Sequence, residues 1–396
     1  MKKYYLTAFI ICVLMLVGFS FVYHVWDEQQ TLELVRVGFL SENDELTVGT
    51  NNFDLSRLIL EKEFGERIEI FTKTNVGSDN TEEALLELVR SGCNIIFAHT
   101  RSNSVRVTAR VHLDVQFCQI SNDIAANLNE GKNFHTFNAK SFEAHYVSGV
   151  VAGIKLRELI DSGKVPADRA LVGYVGTYPK AEIIAGYTAF YLGVYSKAPE
   201  AVMRVRYSNA LSNFLIEKNL AKTLIEEGCV IIAQNSGTAG PAAACQEVYG
   251  EKTVFHVGFN ASMIDTAPST SLVSARINWD PYIMNAVRAV MNFGIIEEAE
   301  LGNVNGNDVW AGFDYNWLEM LELNKSILPD GTEAEMNRVI EAIKKGQIEV
   351  FRGDFIGVNP DEPRIIVDLK WGYPENKSSS KPNFHYILRD HITVEE

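Results

Sequence analysis

The chain is poor in the residues that build metal centres and nucleophilic active sites, with five cysteines and eight histidines among 396 residues. His99, His112, His135, His145 and His256 stand at no spacing, to one another or to Cys or carboxylates, that would hold a metal ion, so no metal or other cofactor is expected. There is no Gly-x-Ser-x-Gly elbow and no Cys/His pair stands out, which leaves little basis for nucleophilic catalysis. A basic surface is lacking too. Asp and Glu number 51 against 36 Lys and Arg, a formal net charge of −15, which opposes a nucleic-acid partner and an acidic partner alike. With 46% hydrophobic and 22% charged residues the composition is nonetheless that of a globular chain, able to fill one large or two medium cores.

Long apolar runs are equally scarce, with one exception at the start. Tyr4 to Tyr23 is nearly uncharged over about twenty positions, enough to cross a bilayer. Lys2 and Lys3 precede it and Asp27-Glu28 follow, which keeps the N-terminus in the cytoplasm and the rest of the chain outside. Residues 1–30 are therefore read as an N-terminal transmembrane anchor or signal. No small-x-small site stands near Phe21-Val-Tyr-His24, which favours a retained membrane helix over a cleaved secretory signal, and Phe9-Ile-Ile-Cys12 lacks the small residues of a lipid-attachment site. The other cysteines, Cys93, Cys118, Cys229 and Cys245, read as small buried hydrophobes, because an exported protein of this size does not need disulfide staples.

What the sequence does contain is a repeat. Leu88-Val-Arg-Ser-Gly-Cys-Asn-Ile-Ile-Phe-Ala-His99 returns as Leu224-Ile-Glu-Glu-Gly-Cys-Val-Ile-Ile-Ala-Gln-Asn235. Upstream, Val35-Arg-Val-Gly38-Phe-Leu-Ser41 is echoed by Ala170-Leu-Val-Gly173-Tyr-Val-Gly176, and the offsets agree: 135 residues between the paired glycines here, 136 between Gly92 and Gly228. Two matched halves imply two lobes with a cleft between them.

Hydrophobic periodicity fills in the halves. In the first, strands are expected at 34–40, 68–72, 94–99 and 115–120, with helices at 54–64, 81–91 and 104–112. In the second, a strand from Ala170 is followed by helices at 182–195, 214–227 and 241–249 and strands at 202–207, 230–234 and 253–259. This alternation predicts an α/β fold of two doubly wound Rossmann-like lobes. A long helix at 141–161, whose Val150-Val-Ala-Gly153 is small enough for close packing, joins the lobes, and a helix at 281–293 returns the chain toward the first. A segment at 309–323 and a helix at 332–345 follow. Lobe 1 is thus assigned approximately to 34–140 and 281–320, and lobe 2 with the hinge to 141–280 and 321–355, so that repeated crossings allow hinging. Beyond Asn359, breakers such as Pro360-Asp-Glu-Pro363 and Lys377-Ser-Ser-Ser-Lys-Pro382 predict a C-terminal tail, 360–396, that hugs the surface or is partly disordered.

In a parallel α/β sheet the ligand crevice lies beyond the carboxyl ends of the strands. That rule names Ser41, Glu42, Asn43, Asp44, His99, Thr100, Arg101, Ser121, Asn122 and Asp123 in the first lobe, and Thr177, Tyr178, Asn235, Ser236, Gly237, Asn260 and Ala261 in the second. The set is rich in neutral hydrogen-bonding groups with one aromatic, which suits a flat or hydroxylated neutral molecule. Asp44, Ser236 and Asn260 are equally suited to capping the next helix. Ser236-Gly-Thr-Ala-Gly-Pro241 lacks the Lys-Ser/Thr of a nucleotide loop and reads better as a helix start with Pro241 in its first turn. The carboxylates Glu42, Asp44, Asp123 and Glu182 could share one cleft, so a paired-carboxylate hydrolase stays open as a competing class, although one acidic residue orienting a ligand is the more economical role.

Further motifs extend along the chain: Leu60-Glu-Lys-Glu-Phe-Gly65, Phe142-Glu-Ala-His-Tyr146 leading to Gly149-Val-Val-Ala-Gly153, Val172-Gly-Tyr-Val175 with Pro179-x-x-Glu182 and Gly186, Gln234-Asn235, His256-Val-Gly-Phe259, Ile277-Asn-Trp-Asp-Pro-Tyr282, Val309-Trp-Ala-Gly312 and Val350-Phe-Arg-Gly353. In order and spacing they resemble the basic membrane protein family of ABC-transporter substrate-binding proteins, the PnrA-like purine nucleoside receptors, from about Val35 to Asp354. The resemblance implies a type I periplasmic-binding-protein fold that closes on a purine base, nucleoside or similar small polar molecule, outside the cytoplasm and beside an ABC permease, with no enzymatic step. It implies roles for Tyr178, stacking on the ligand, and for Asn235, Asn278 and Trp279, and with the residue-level candidates the expected ligand-binding set is Asn43, Asp44, Phe53, His99, Thr100, Asp123, Tyr178, Glu182, Asn235, Ser236, Asn260, Asn278 and Trp279. The chain departs from the family at Thr100-Arg-Ser-Asn103 and Leu46-Thr-Val-Gly49, where aromatic or glycine-rich segments are usual, and at Asn260, where an acidic residue is usual. A membrane-tethered sensor for a signalling partner is the alternative reading of the same fold.

Overall fold

The computed structural model describes residues 31–42, 47–121, 124–126 and 131–395. The expected membrane anchor at 1–30 and four cleft candidates, Asn43, Asp44, Asn122 and Asp123, lie outside the described residues. Among the described residues no helix is long and apolar enough to cross a membrane.

The first lobe runs β1 (Val35–Ser41), α1 (Val48–Phe64), β2 (Ile68–Lys73), α2 (Thr81–Arg90), β3 (Ile95–His99), α3 (Ser104–Ala109), β4 (Gln116–Ile120) and β5 (Phe134–Ala139). The second runs α4 (Ser141–Asp161), β6 (Leu171–Gly176), α5 (Ala181–Tyr195), β7 (Val202–Tyr207), α6 (Phe214–Glu226), β8 (Ile231–Asn235), α7 (Gly240–Glu247), β9 (Phe255–Phe259) and β10 (Ser271–Ile277). The chain then returns to lobe 1 through α8 (Asp280–Met291), α9 (Ile296–Ala299), β11 (Asn303–Asn305) and β12 (Asp308–Ala311), crosses back as β13 (Leu318–Met320) and α10 (Thr332–Lys344), and ends in β14 (Ile356–Val358), β15 (Ile366–Asp368), β16 (Ile387–Leu388) and β17 (Ile392–Val394).

Each lobe is a seven-stranded sheet: β11-β12-β5-β4-β3-β1-β2 and β13-β10-β9-β8-β6-β7-β17. The five central strands are parallel and share one order, β2-β1-β3-β4-β5 and β7-β6-β8-β9-β10, so the sequence repeat is a repeat of topology. In that order the connections change direction between β1 and β3 and between β6 and β8, and the carboxyl ends of these strands open the crevice. Their continuous apolar runs follow from being covered on both faces.

Helices α4 and α5 meet backbone to backbone. A Cβ at Gly149 would collide with Phe190 O, one at Gly193 with Tyr146 O, and one at Gly153 would stand 2.6 Å from Val194 O. The lobes are joined where β5 leads to α4, β10 to α8 and β12 to β13, and these crossings are tied together: Lys140 N–H donates to Ala311 O at 2.8 Å, Asn278 N–H to Trp317 O at 2.8 Å, and Phe313 N–H to Glu143 Oε2 at 3.1 Å.

Several details differ from expectation. Helix α1 begins at Val48 rather than Asp54, and α3 ends at Ala109. The segment expected at 309–323 is divided: β12 closes the edge of lobe 1 and β13 pairs antiparallel with β10 in lobe 2, so the chain leaves lobe 1 near Gly312 rather than 320. Strands β5 and β10 were not expected; β5 is fully buried, and its polar side chains are satisfied by distant partners, His135 by Glu297, Thr136 by Asp308, and Asn138 by Ser121 O. The breaker-rich tail is ordered into β15, β16 and β17, with Phe384 and Leu388 buried.

Candidate functional site

The cleft between the lobes holds a cavity of about 100 Å³, and it is lined by Glu42, Asn52, His99, Thr100, Arg101, Ile120, Asn138, Glu182, Leu211, Asn260, Ile277 and Trp279. Lobe 1 supplies strand-end residues. Glu42 follows β1 and accepts hydrogen bonds from Thr100 Oγ1 and, at 2.9 Å, from Arg101 N–H, fastening the turn after β3. Gln119 Nε2 holds that turn from behind through Thr100 O and Ser102 O at 2.9 and 3.0 Å. Asn138, at the end of β5, donates to Ser121 O at 2.7 Å.

One wall is aromatic. The rings of His99 and Phe53 stack with centroids 5.2 Å apart, Phe53 leans on Trp279 at 6.0 Å, and Phe137 meets the Trp279 indole edge-on at 5.3 Å. Phe53 thus stands behind the cleft surface, where it fixes the His99 and Trp279 rings that form it. Burial pulls the His99 imidazole down to about 4, so it is neutral at physiological pH. Its Nδ1 is buried without a hydrogen-bond partner among the described residues, and so is Asn52 Oδ1.

The two lobes touch across this space. Asn52 Nδ2, on α1, donates to Asn260 Oδ1, beyond β9, at 3.1 Å, and Val48 N–H donates to Gly237 O at 3.2 Å. The Val48 side chain packs against the lobe 2 cluster of Ala242, Met263 and Ala267. Asn260 has a left-handed φ of 66°, a conformation that Asn tolerates better than most residues, and its N–H is held by Ala275 O at 2.6 Å.

Of the expected residues, His99, Thr100, Glu182, Asn260 and Trp279 line the cleft together, and Phe53 supports it. The others are engaged elsewhere. Asn235 Nδ2 lies 3.4 Å from His145 Nε2, a buried imidazole that is pulled down to about 3 by desolvation and packs on Phe259. Asn278 Nδ2 donates to Asn316 O at 3.0 Å within the hinge. Tyr178 is half-buried and absent from the lining. Ser236 belongs to a loop organised by the fully buried Glu217, whose Oε2 accepts from Ser236 Oγ, Thr238 N–H and Thr238 Oγ1 at 2.8, 2.9 and 2.6 Å. That carboxylate fills the place an anion would need. The loop's Gly240 is required because a Cβ there would stand 2.6 Å from Phe214 O, and Pro241 opens α7.

Asn52, Asn138 and Ile277 were not anticipated. Asn138 and Ile277 close β5 and β10, and the strand-end rule would have found them had those strands been recognised. Among the described residues no cluster of three or more His, Cys, Asp or Glu is arranged to hold a metal ion. The four described cysteines are free and buried, with their thiols pushed up by desolvation.

These features can be set beside known proteins. A purine-binding protein of Brucella abortus is 26% identical over 327 residues, covering 81% of this chain and 84% of that protein. An ABC transporter solute-binding protein of Aeropyrum pernix K1 shares the fold with a TM-score of 0.65 at 15% identity, covering 79% of this chain and 92% of that one. Another from Conexibacter woesei does so with a TM-score of 0.60 at 14% identity, covering 79% and 97%. The model of the family described as ABC transporter substrate-binding protein PnrA-like matches residues 50–350, and the chain belongs to that family.

Proposed function

We propose that this substrate-binding protein captures a purine base or nucleoside in the interlobe cleft, outside the cytoplasm, and presents it to the permease of an ABC importer. The observation that carries the reading is the pairing of flat ring surfaces, His99 and Trp279, with two buried unpartnered polar atoms, Asn52 Oδ1 and His99 Nδ1, on one cleft. A purine has faces for the rings, and its edge carries both donors and acceptors. A neutral imidazole and an amide bind such an edge without demanding a charged ligand. Glu42 and Glu182 outnumber the one cation of the lining, Arg101, and this negative balance weighs against phosphorylated forms, so a base or nucleoside fits better than a nucleotide. The purine-binding relative supports the same class.

Binding acts through closure. A ligand contacting both lobes favours the arrangement in which Asn52 meets Asn260, and its differential affinity for that state shifts the population. The Tyr4–Tyr23 segment would tether the receptor beside its permease.

Mass spectrometry of small molecules released from the purified protein, followed by thermal-shift titration with hypoxanthine, adenosine, guanosine, adenosine monophosphate and glucose, tests this. Bases or nucleosides should raise the melting temperature in a dose-dependent manner while glucose and the nucleotide do not. Stabilisation by glucose with none by any purine would refute it.

A further inference from the structure

The C-terminal segment lies beyond the family match at 50–350, yet it touches both lobes. Its lobe 1 contact is a compact loop. Asn376 Nδ2 donates to Ser379 O and Lys381 O at 3.0 and 3.1 Å, and Asn383 N–H donates to Glu375 Oε1 at 2.7 Å. These bonds project Ser380, 1% exposed, onto Asp308 at the start of β12. Ser380 N–H donates to Asp308 Oδ2 at 2.7 Å and Ser380 Oγ donates to Oδ1, which also accepts from Thr136 Oγ1 of β5 at 2.6 Å. Asn305 Nδ2 of β11 adds a bond to Ser378 O at 2.9 Å. All three lobe 1 partners sit on the β5-β12-β11 edge of its sheet.

The lobe 2 contact begins a few residues later. Phe384 stacks on Phe351 with centroids 4.0 Å apart, and Thr188 Oγ1 of α5 donates to Tyr386 O at 3.4 Å. Tyr191 OH of the same helix lies 2.8 Å from His391 Nδ1. Strand β17 then extends the lobe 2 sheet in parallel with β7, with Met203 N–H on His391 O at 2.9 Å and Glu395 N–H on Val205 O at 2.8 Å. From Ser380 to Phe384 the chain can span at most about 14 Å, so it has little slack between its anchors.

We propose that residues 375–395 form a strap across the hinge side of the molecule that restrains how far the lobes open. The three covalent crossings permit rotation, whereas this fourth connection is held to lobe 1 non-covalently, through the hydrogen bonds to Asp308 and Asn305. Asp308 pairs with Thr136, three positions along the strand from the Ala311–Ala139 pair at the crossing, so a rotation about the crossings moves Asp308 relative to Phe384. Wide opening therefore has to pull Ser380 off a buried carboxylate, leaving that charge short of donors in a desolvated place. The strap sets a resting geometry independently of the ligand's identity.

The full chain carrying spin labels at Val111→Cys in lobe 1 and Tyr249→Cys in lobe 2, sites 73% and 59% exposed, reports the lobe separation by electron–electron distance measurement. The four described native cysteines are buried and stay unlabelled, and Cys12→Ser removes the fifth in every protein compared. Two alterations slacken the strap in different ways. Asp308→Asn with Ser380→Ala cuts the lobe 1 anchor, and a Gly-Ser-Gly insertion between Asn383 and Phe384, after the loop closed by Asn383 and Glu375, keeps both anchors but lengthens the span. In ligand-free protein both should give a longer mean distance and a broader distribution than the parent, with unchanged circular dichroism. An insertion variant whose distribution matches the parent's overturns the proposal, even if the anchor variant broadens, because the effect would then lie in lobe 1 and not in the strap.

Discussion

Asn52 and Asn260 face each other across the cleft, the amide nitrogen of the first donating to the carbonyl oxygen of the second at 3.1 Å. The bond fixes the Asn52 side chain so that its own oxygen, buried and without a partner among the described residues, is left to accept from a ligand. Asn52→Ala removes the lobe-to-lobe bond and the acceptor together. Losing a buried hydrogen-bond partner costs about 1–3 kcal/mol, so calorimetric titration with the co-purified solute should show affinity lowered by roughly tenfold or more. An unchanged affinity would mean that the ligand does not reach this amide.

The rings divide into two groups with opposite expectations. Trp279 lines the cleft and is braced by Phe53 and Phe137, whereas Tyr178 is half-buried outside the lining. Trp279→Phe keeps an apolar ring but shrinks its face, and should weaken a purine by about 0.5–1.5 kcal/mol, the typical worth of an aromatic contact beyond its buried area. Tyr178→Ala should leave affinity within about twofold in the same titration, a change well under the worth of such a contact. The reverse ranking would restore the stacking role that the sequence suggested for Tyr178.

That suggestion shows where the sequence was readable. Strand ends of a doubly wound sheet are fixed by topology, so Glu42, His99, Thr100, Arg101 and Asn260 could be named from apolar runs followed by polar residues, and all line the cleft. Asn138 could not, because Phe134-His-Thr-Phe-Asn-Ala139 does not look like a buried strand until Glu297 and Asp308 arrive from more than 150 residues away to satisfy its polar groups. Asn52 was hidden for a related reason. Gly49, Thr50 and Asn51 are weak helix formers, and α1 extends over them where Val48 is seated against lobe 2, a tertiary contact overriding local propensity. The tail misled in the same way: its serines and prolines looked like breakers, but Ser380 has a buried carboxylate waiting on another lobe.

Close approach of α4 and α5 gives a stability prediction independent of any ligand. At Gly149 the atom that an added Cβ would strike is a backbone carbonyl, Phe190 O, which cannot swing aside as a side chain could. Gly149→Ala should therefore force the helices apart, destabilising the protein by about 1–3 kcal/mol or more, visible as a lowered denaturant midpoint. Wild-type stability would show that the helices can separate freely.

Glu143 makes stability depend on pH. Its carboxyl is buried at the hinge, where it accepts from Phe313 N–H, and desolvation pushes it up to about 7 despite that bond and the nearby Lys140. A carboxyl that holds its proton more tightly in the folded state than in the unfolded chain, where the usual value is near 4.5, favours folding while protonated. Its contribution is fully present below about 4.5 and is lost as pH rises through about 7. Glu143→Gln keeps an oxygen for Phe313 N–H and removes the titration. Other buried carboxyls, Glu300 and Glu375, are also raised, so the wild-type slope alone is not diagnostic and the difference between proteins is the measurement. The Gln variant should gain on the wild type between pH 5 and pH 8, by an amount on the order of 2–3 kcal/mol, in urea titrations at the two pH values. A constant difference across that range would show that Glu143 is already ionised in the folded hinge at pH 5.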